Sequence, residues 1–431
     1  MIHSRLVFAA SLSAVTVLIG ACTAPTQRAT HDTAPQSRAV TLLTFGDGGY
    51  HYDHLDRKAY EKVVTEEQFL AKERKDWVEE RRPPGEFDHP PMYKLPSNGS
   101  VIPATGQMPT AKAMKSHCAQ YSCDFAVMLG DNIYPDGAMG DADDARRFRD
   151  VFTTPYGSLV EGRDSFRIYG VLGNHDWHTS RDGALAQVRF LETTPPFFMN
   201  GLFYRVVPAA ARGEIEIFAL DTEVLLAATT VHEAVLAEDA SEVATDELEQ
   251  LEPWAAPQND AERDMVQWLE TSLASSKARW KIVIGHHPLW STAGSKFQQA
   301  KSLRRLILPA LCRYADLYLA GHEHTLEVHT DACTEALPGA DATPLPQVVS
   351  GSASKMRPTN SAFIRQQLKA HPELRTLYAR GLTWGFAHLT FEGDRATVRT
   401  IETPRDGSGT AQVTYEHSFA RRSSSGPEGT P

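Results

Sequence analysis

The sequence predicts an α/β domain in which two sheets pack together and helices cover the outside. Some strand-like runs are continuously apolar, as in residues 125–129 and 317–319, whereas others alternate, as in residues 396–401. Buried parallel strands give the first pattern and sheets with one solvated face the second, so both belong in one layered domain. A further regularity is that five apolar runs, within residues 42–49, 125–134, 168–176, 282–288 and 317–324, end at Gly or a tight turn followed by Asp, Asn or His. The C-terminal ends of strands are where open α/β sheets bind ligands, and oxygen and imidazole donors gathered there suit a metal site.

Taken in order, residues 39–45 form the first predicted strand, closed by Gly46-Asp47-Gly48-Gly49. The next begins only at Phe125. The intervening stretch predicts a charged amphipathic helix over residues 57–82 (Val63, Val64, Phe69, Leu70 and Trp77 on one face), a Pro/Gly-rich loop over 82–109, and a helix over 111–121 capped by Thr110. Residues 50–109 are thus expected to be largely an insertion. Residues 142–152 predict a short helix, 166–172 a strand, and 201–207 with 214–220 an antiparallel pair. A second insertion, 223–259, is acidic and reads as a solvated helix and loop. Then come a helix over 261–275, a strand at 281–284, a helix over 301–314 interrupted near Pro309, and strands at 316–319, 347–349, 386–391, 396–401 and 412–415. The Ser/Gly/Pro-rich end, 419–431, predicts a disordered tail and leaves 39–418 as the folded domain.

The 431 residues carry a net charge of -11, so no basic footprint for nucleic acid is present. An acidic chain does not attract anions from a distance, and phosphate chemistry on it needs local positive charge such as metal ions. Residues 1–21 read as an export signal, with Arg5, an apolar stretch from Leu6 to Ile19, and Gly20-Ala21 before Cys22. Ile19-Gly20-Ala21-Cys22 resembles a bacterial lipobox, which implies a lipid anchor on Cys22, a flexible tether over 22–38 and attachment on the periplasmic or cell-surface side; a soluble secreted or periplasmic form is the alternative. Of three pairings open to the other four cysteines, Cys118 with Cys123 and Cys312 with Cys333 is the simplest.

Together, Gly46-Asp47-Gly48-Gly49, Gly130-Asp131-Asn132-Ile133-Tyr134, Gly173-Asn174-His175-Asp176, Gly285-His286-His287-Pro288 and Gly321-His322-Glu323-His324 resemble the five motif blocks of purple acid phosphatases, within the calcineurin-like metallophosphoesterases. The resemblance implies a four-layer α/β/β/α sandwich, two central mixed sheets flanked by helices, and a binuclear centre. Asp47, Tyr134 and His324 would hold one metal, Asn174, His286 and His322 the other, and Asp131 would bridge them. A Tyr134 phenolate suits Fe(III), with Fe(II), Zn(II) or Mn(II) as its partner. The implied reaction is hydrolysis of a small phosphate monoester by a metal-bound hydroxide, with His175 contacting the phosphate or protonating the leaving group, Asp176 orienting His175, and His287 available to the substrate.

The chain departs from the family where animal and plant relatives carry a further histidine: residues 290–297 contain none, leaving the proton donor open. Two other functions fit the same motifs, a phosphodiesterase or nucleotide hydrolase, and a metal-loaded surface binding protein without turnover. His51, His54, His89, His178 and His329 lie outside the motifs and read as ordinary, as do Asp221 and Lys296.

Overall fold

Parallel strands buried on both faces make up the middle of each sheet. A computed structural model describes residues 38–55, 63–227, 229–294, 296–339 and 343–422. The first sheet has the order Gln412–Ala420, Arg395–Thr403, Trp384–Glu392, Val40–Phe45, Phe125–Leu129, Ile168–Val171, Phe197–Phe198. Its last four strands are mutually parallel and the others antiparallel. The second runs Leu374–Arg380, Leu326–Asp331, Leu345–Ser350, Leu317–Ala320, Trp280–Ile284, Ile215–Ala219, Tyr204–Val206, again with four parallel strands, those starting at 345, 317, 280 and 215.

The sheets share one apolar core. Trp280 of the second meets Phe391 of the first with ring centroids 5.1 Å apart, and Tyr204 Oη donates to Gly170 O at 2.8 Å. Helix Gln107–Tyr121 packs outside the first sheet, and Met265–Ser275 outside the second. Residues 38–422 thus form the expected two-sheet sandwich flanked by helices. Register then fixes the site: Leu129 pairs with Val171 and Ile284 with Leu319, so the Gly-led turns beyond these strands emerge side by side at one edge. Both expected disulfides form, Cys118–Cys123 and Cys312–Cys333.

The insertions differ from expectation. The first helix is Glu66–Glu79, entered by a Thr65/Gln68 capping box, and residues 56–62 lie outside the described residues. Residues 82–109 include a short hairpin, Met92–Lys94 with Val101–Pro103, too brief to leave a readable alternation. Thr110 is no cap; the helix starts at Gln107 behind Gly106, where a Cβ would lie 2.2 Å from Trp384, so no capping side chain fits. Residues 223–259 hold a buried helix, Thr222–Ala227, and then a hairpin, Thr230–Leu236 with Glu242–Gln250. None of its strand residues is fully buried, and Thr, His, Glu and Asp interrupt the apolar positions, which weakens the hydrophobic alternation by which a strand is recognised. Pro309 does not end its helix, which runs Phe297–Tyr314.

The expected export signal, 1–21, all but the last residue of the expected tether, 22–38, and residues 423–431 lie outside the described residues. The domain nevertheless continues past 418: the last strand reaches Ala420 and Arg422 is buried. Its guanidinium donates to the carbonyls of Leu311 (3.1 Å), Cys312 (2.8 Å) and Ala315 at the C-terminal end of helix Phe297–Tyr314. Arg422→Ala is therefore expected to destabilise the domain by about 2 kcal/mol or more, read as a lower urea midpoint. An unchanged midpoint would return residues 419–422 to the tail.

Candidate metal centre

Each strand-end turn delivers its donor through a constrained backbone. Asp47, Asp131 and His322, each directly after a Gly, have φ of +56°, +50° and +68°. Non-glycine residues rarely adopt this left-handed region, at a cost of about 1–3 kcal/mol each, and persist there only where the surroundings fix them. The surroundings do so: Asp47 N donates to Gly130 O (3.0 Å), His322 N to Asp47 Oδ2 (2.9 Å) and Gly321 N to His286 O (2.9 Å). A Cβ on Gly173 would lie 2.4 Å from Asp131 Oδ1, so the turn leading to Asn174 can close on the carboxylate only as glycine.

Two donor sets result, sharing one carboxylate. Tyr134 Oη lies 3.0 Å from Asp47 Oδ1, 2.7 Å from Asp131 Oδ2 and 3.1 Å from His324 Nε2. On the other side, His322 Nδ1 lies 3.1 Å from Asn174 Oδ1 and 3.0 Å from His286 Nε2, which is 3.3 Å from Asp131 Oδ1. Asp131 thus turns one oxygen to each set, and all seven sequence-predicted ligands are brought together.

Burial pushes the Asp47 carboxyl well above its ordinary value although nearby His286 opposes it. Burial and then the Asp131 and Asp47 carboxylates push the Tyr134 phenol up likewise. One phenolic proton cannot serve three acceptors, and the groups are too buried for water to make up the difference. His286 Nδ1 donates to Leu129 O (2.7 Å), which turns Nε2 toward the cluster. Hard oxygen donors mixed with bare imidazole nitrogens in two converging sets fit a pair of cations.

The other three predicted residues are placed differently. His175 is at the mouth, its side chain 26% exposed and its ring tilted against that of Tyr134, with centroids 4.3 Å apart. Its Nδ1 donates to Pro135 O (2.5 Å), Nε2 lies 4.0 Å from Asp131 Oδ2, and burial holds its pKa down at about 4. Asp176 does not orient His175. Its carboxylate accepts from the backbone N–H groups of Gly173 (2.9 Å), Asn132 (3.1 Å) and Ile133 (3.0 Å), tying the Asp131 turn to the Asn174 turn. His287 is not open to substrate. It is fully buried, its ring 4.3 Å from that of His322, between Thr222 Oγ1 (2.9 Å) and Glu223 Oε1 (3.3 Å), with Glu252 at 3.7 Å.

Sequence reasoning missed Glu223, Glu252 and Lys355, which also border the centre. Lys355 Nζ lies 4.4 Å from the centroid of the Tyr134 ring. Its signal was present, since Ser350-Gly351 ends a strand as the five motifs do; only the search for acids and histidines passed it over.

Residues 89–326, more than half of the chain, match the calcineurin-like phosphoesterase family, and the chain belongs to it. Within that family its relatives are acid phosphatases. Purple acid phosphatase 17 of Arabidopsis thaliana is 30% identical over 237 residues, covering 54% of this chain and 59% of that protein. Tartrate-resistant acid phosphatase type 5 of Mus musculus is 26% identical over 301 residues, covering 69% and 80%. The chain thus spans less than two thirds of the plant relative's length. In fold it is similar to purple acid phosphatase PPD1 from yellow lupin, with a TM-score of 0.51 at 14% identity over 90% of this chain and 54% of that one.

Because Asp131 serves both donor sets, Asp131→Asn is expected to lower bound metal from about two ions per chain to below one, whereas His286→Asn should lose about one. Elemental analysis of purified protein decides; an Asp131→Asn variant that kept both ions would remove the bridge.

Proposed function

We propose that this protein hydrolyses phosphate monoesters at a binuclear Fe(III)–M(II) centre, M being Fe(II), Zn(II) or Mn(II). The observation that carries the reading is the Asp131 carboxylate, with one oxygen facing Tyr134 and the other His286. When bound, two cations supply the Lewis acidity that acidifies a water and screens the charge of the phosphate.

The side chains do the rest. Asp131 fixes the separation of the two donor sets, and Asp176 holds the turns that carry them in register. The Tyr134 phenol becomes a hard anionic donor once a cation offsets its burial, which favours a ferric ion there. With Nδ1 committed to Pro135 O, His175 has Nε2 for proton exchange at the mouth, within reach of a bound phosphate or leaving group. The similarity to proteins named acid phosphatases supports a small monoester as substrate.

The same reading puts the protein outside the cytoplasm, anchored through Cys22. The lipobox-like sequence and two disulfides in the folded domain support this. Cys22→Ser is then expected to abolish incorporation of labelled fatty acid in an expressing bacterium, and persistent labelling would remove the anchor.

For the reaction, metal-loaded protein should hydrolyse p-nitrophenyl phosphate in preference to bis(p-nitrophenyl) phosphate. It should also show a broad visible absorption band that disappears in Tyr134→Phe. Preference for the diester would overturn the monoester assignment, and a colourless iron-loaded protein would overturn the ferric–phenolate pair.

A further inference from the structure

Lys355 is a cation held in place by the loops that carry the metal ligands. The segment after strand Leu345–Ser350 is strapped to both. Ala353 N donates to Gly46 O (3.2 Å), Ser354 N to Asp47 O (3.1 Å), and Arg357 N to His324 O (2.9 Å). Ser354 Oγ also donates to Asp47 O while accepting from Tyr50 N (3.1 Å). Lys355 therefore cannot move away without the Asp47 and His324 loops. Its ammonium lies over the Tyr134 ring and 5.6 Å from the centroid of Tyr50.

The neighbouring cations are already engaged. Arg357 pairs with Glu323 at 2.6 Å and Arg82 with Glu80. Among the described residues Lys355 forms no ion pair with a carboxylate. Lys355 also borders a cavity of about 250 Å³ whose lining includes Tyr50, Glu73, Asp76, Trp77 and Arg82.

We propose that the Lys355 ammonium takes a peripheral oxygen of the substrate phosphate and thereby selects monoesters over diesters. The inference rests on the function proposed above and deepens it. A monoester dianion carries one more negative charge than a diester, and a fixed ammonium beside the metals matches that charge. Lysine suits the task as a compact point charge with three donors. In a chain of net charge -11, such a local cation bears on anion capture more than the overall field does.

The test compares Lys355→Met and Lys355→Arg with the unaltered, metal-loaded protein. It reads kcat and KM on p-nitrophenyl phosphate and bis(p-nitrophenyl) phosphate, calorimetric binding of inorganic phosphate, and metal content. In Lys355→Met, the monoester KM and the Kd for phosphate are expected to rise about 10- to 100-fold while metal content holds. The diester KM should stay within about twofold, so that the monoester-to-diester ratio of kcat/KM collapses, and Lys355→Arg should restore most of it. A ratio and a phosphate Kd that both stay within about twofold in Lys355→Met would overturn the proposal, as would loss of metal, which would assign Lys355 to building the centre. If the unaltered protein holds two metals yet cleaves neither ester, the proposed function falls, and calorimetry still decides whether Lys355 binds phosphate.

Discussion

The structure is organised around a crowding of buried carboxylate, phenol and imidazole donors. The donor atoms of Asp47, Asp131 and His324 lie within 4.8 Å of one another, all buried, with the Tyr134 hydroxyl against them. Two like charges 4 Å apart cost about 4 kcal/mol even at an effective dielectric of 20, and burial adds to it. The fold holds them there because the turns follow parallel strands whose register is set by the apolar core. Core packing thus stabilises the site indirectly, and bound cations return that stability by linkage.

Strain and bracing fall on the same residues. Three ligand-bearing or bridging residues occupy left-handed backbone conformations, and each is pinned by hydrogen bonds from a neighbouring strand end. Asp176 and Ser354 are the two braces. One joins the Asp131 and Asn174 turns within the first sheet; the other ties the end of strand Leu345–Ser350 in the second sheet to the Asp47 turn in the first. Neither faces the donor sets, yet the spacing between those sets depends on both. A carboxylate accepting several backbone N–H groups and a serine bridging two loops are inexpensive ways to hold charged neighbours at fixed separation.

The strand ends were legible in the sequence because a Gly-led turn after an apolar run is a local signal, read without knowing what packs against it. The role of Asp176 was not. Its partners are mainly backbone groups of residues 132, 133 and 173, with the Asn132 amide beside them, and side-chain identity carries little trace of the backbone ones. His287 was misplaced for a related reason: adjacency to a ligand says nothing about which way the ring turns, and here it turns inward to Thr222 and Glu223. Strand Leu326–Asp331 escaped because its inward positions include Glu327 and His329, which bond to each other at 2.6 Å. A buried polar pair imitates a solvated stretch in any reading by hydrophobicity.

The insertions were the least legible parts, and they build much of the mouth. Trp77, from the first, walls the cavity beside Lys355. From the second, Trp254 stands 62% exposed near His178, whose ring is 4.7 Å from that of His175. A large aromatic left in solvent beside a polar site is uncommon, as is a lysine half-buried against two tyrosine rings. The division of labour follows from this geometry: strand ends fix the chemistry within narrow limits, while inserted segments are free to vary the approach to it.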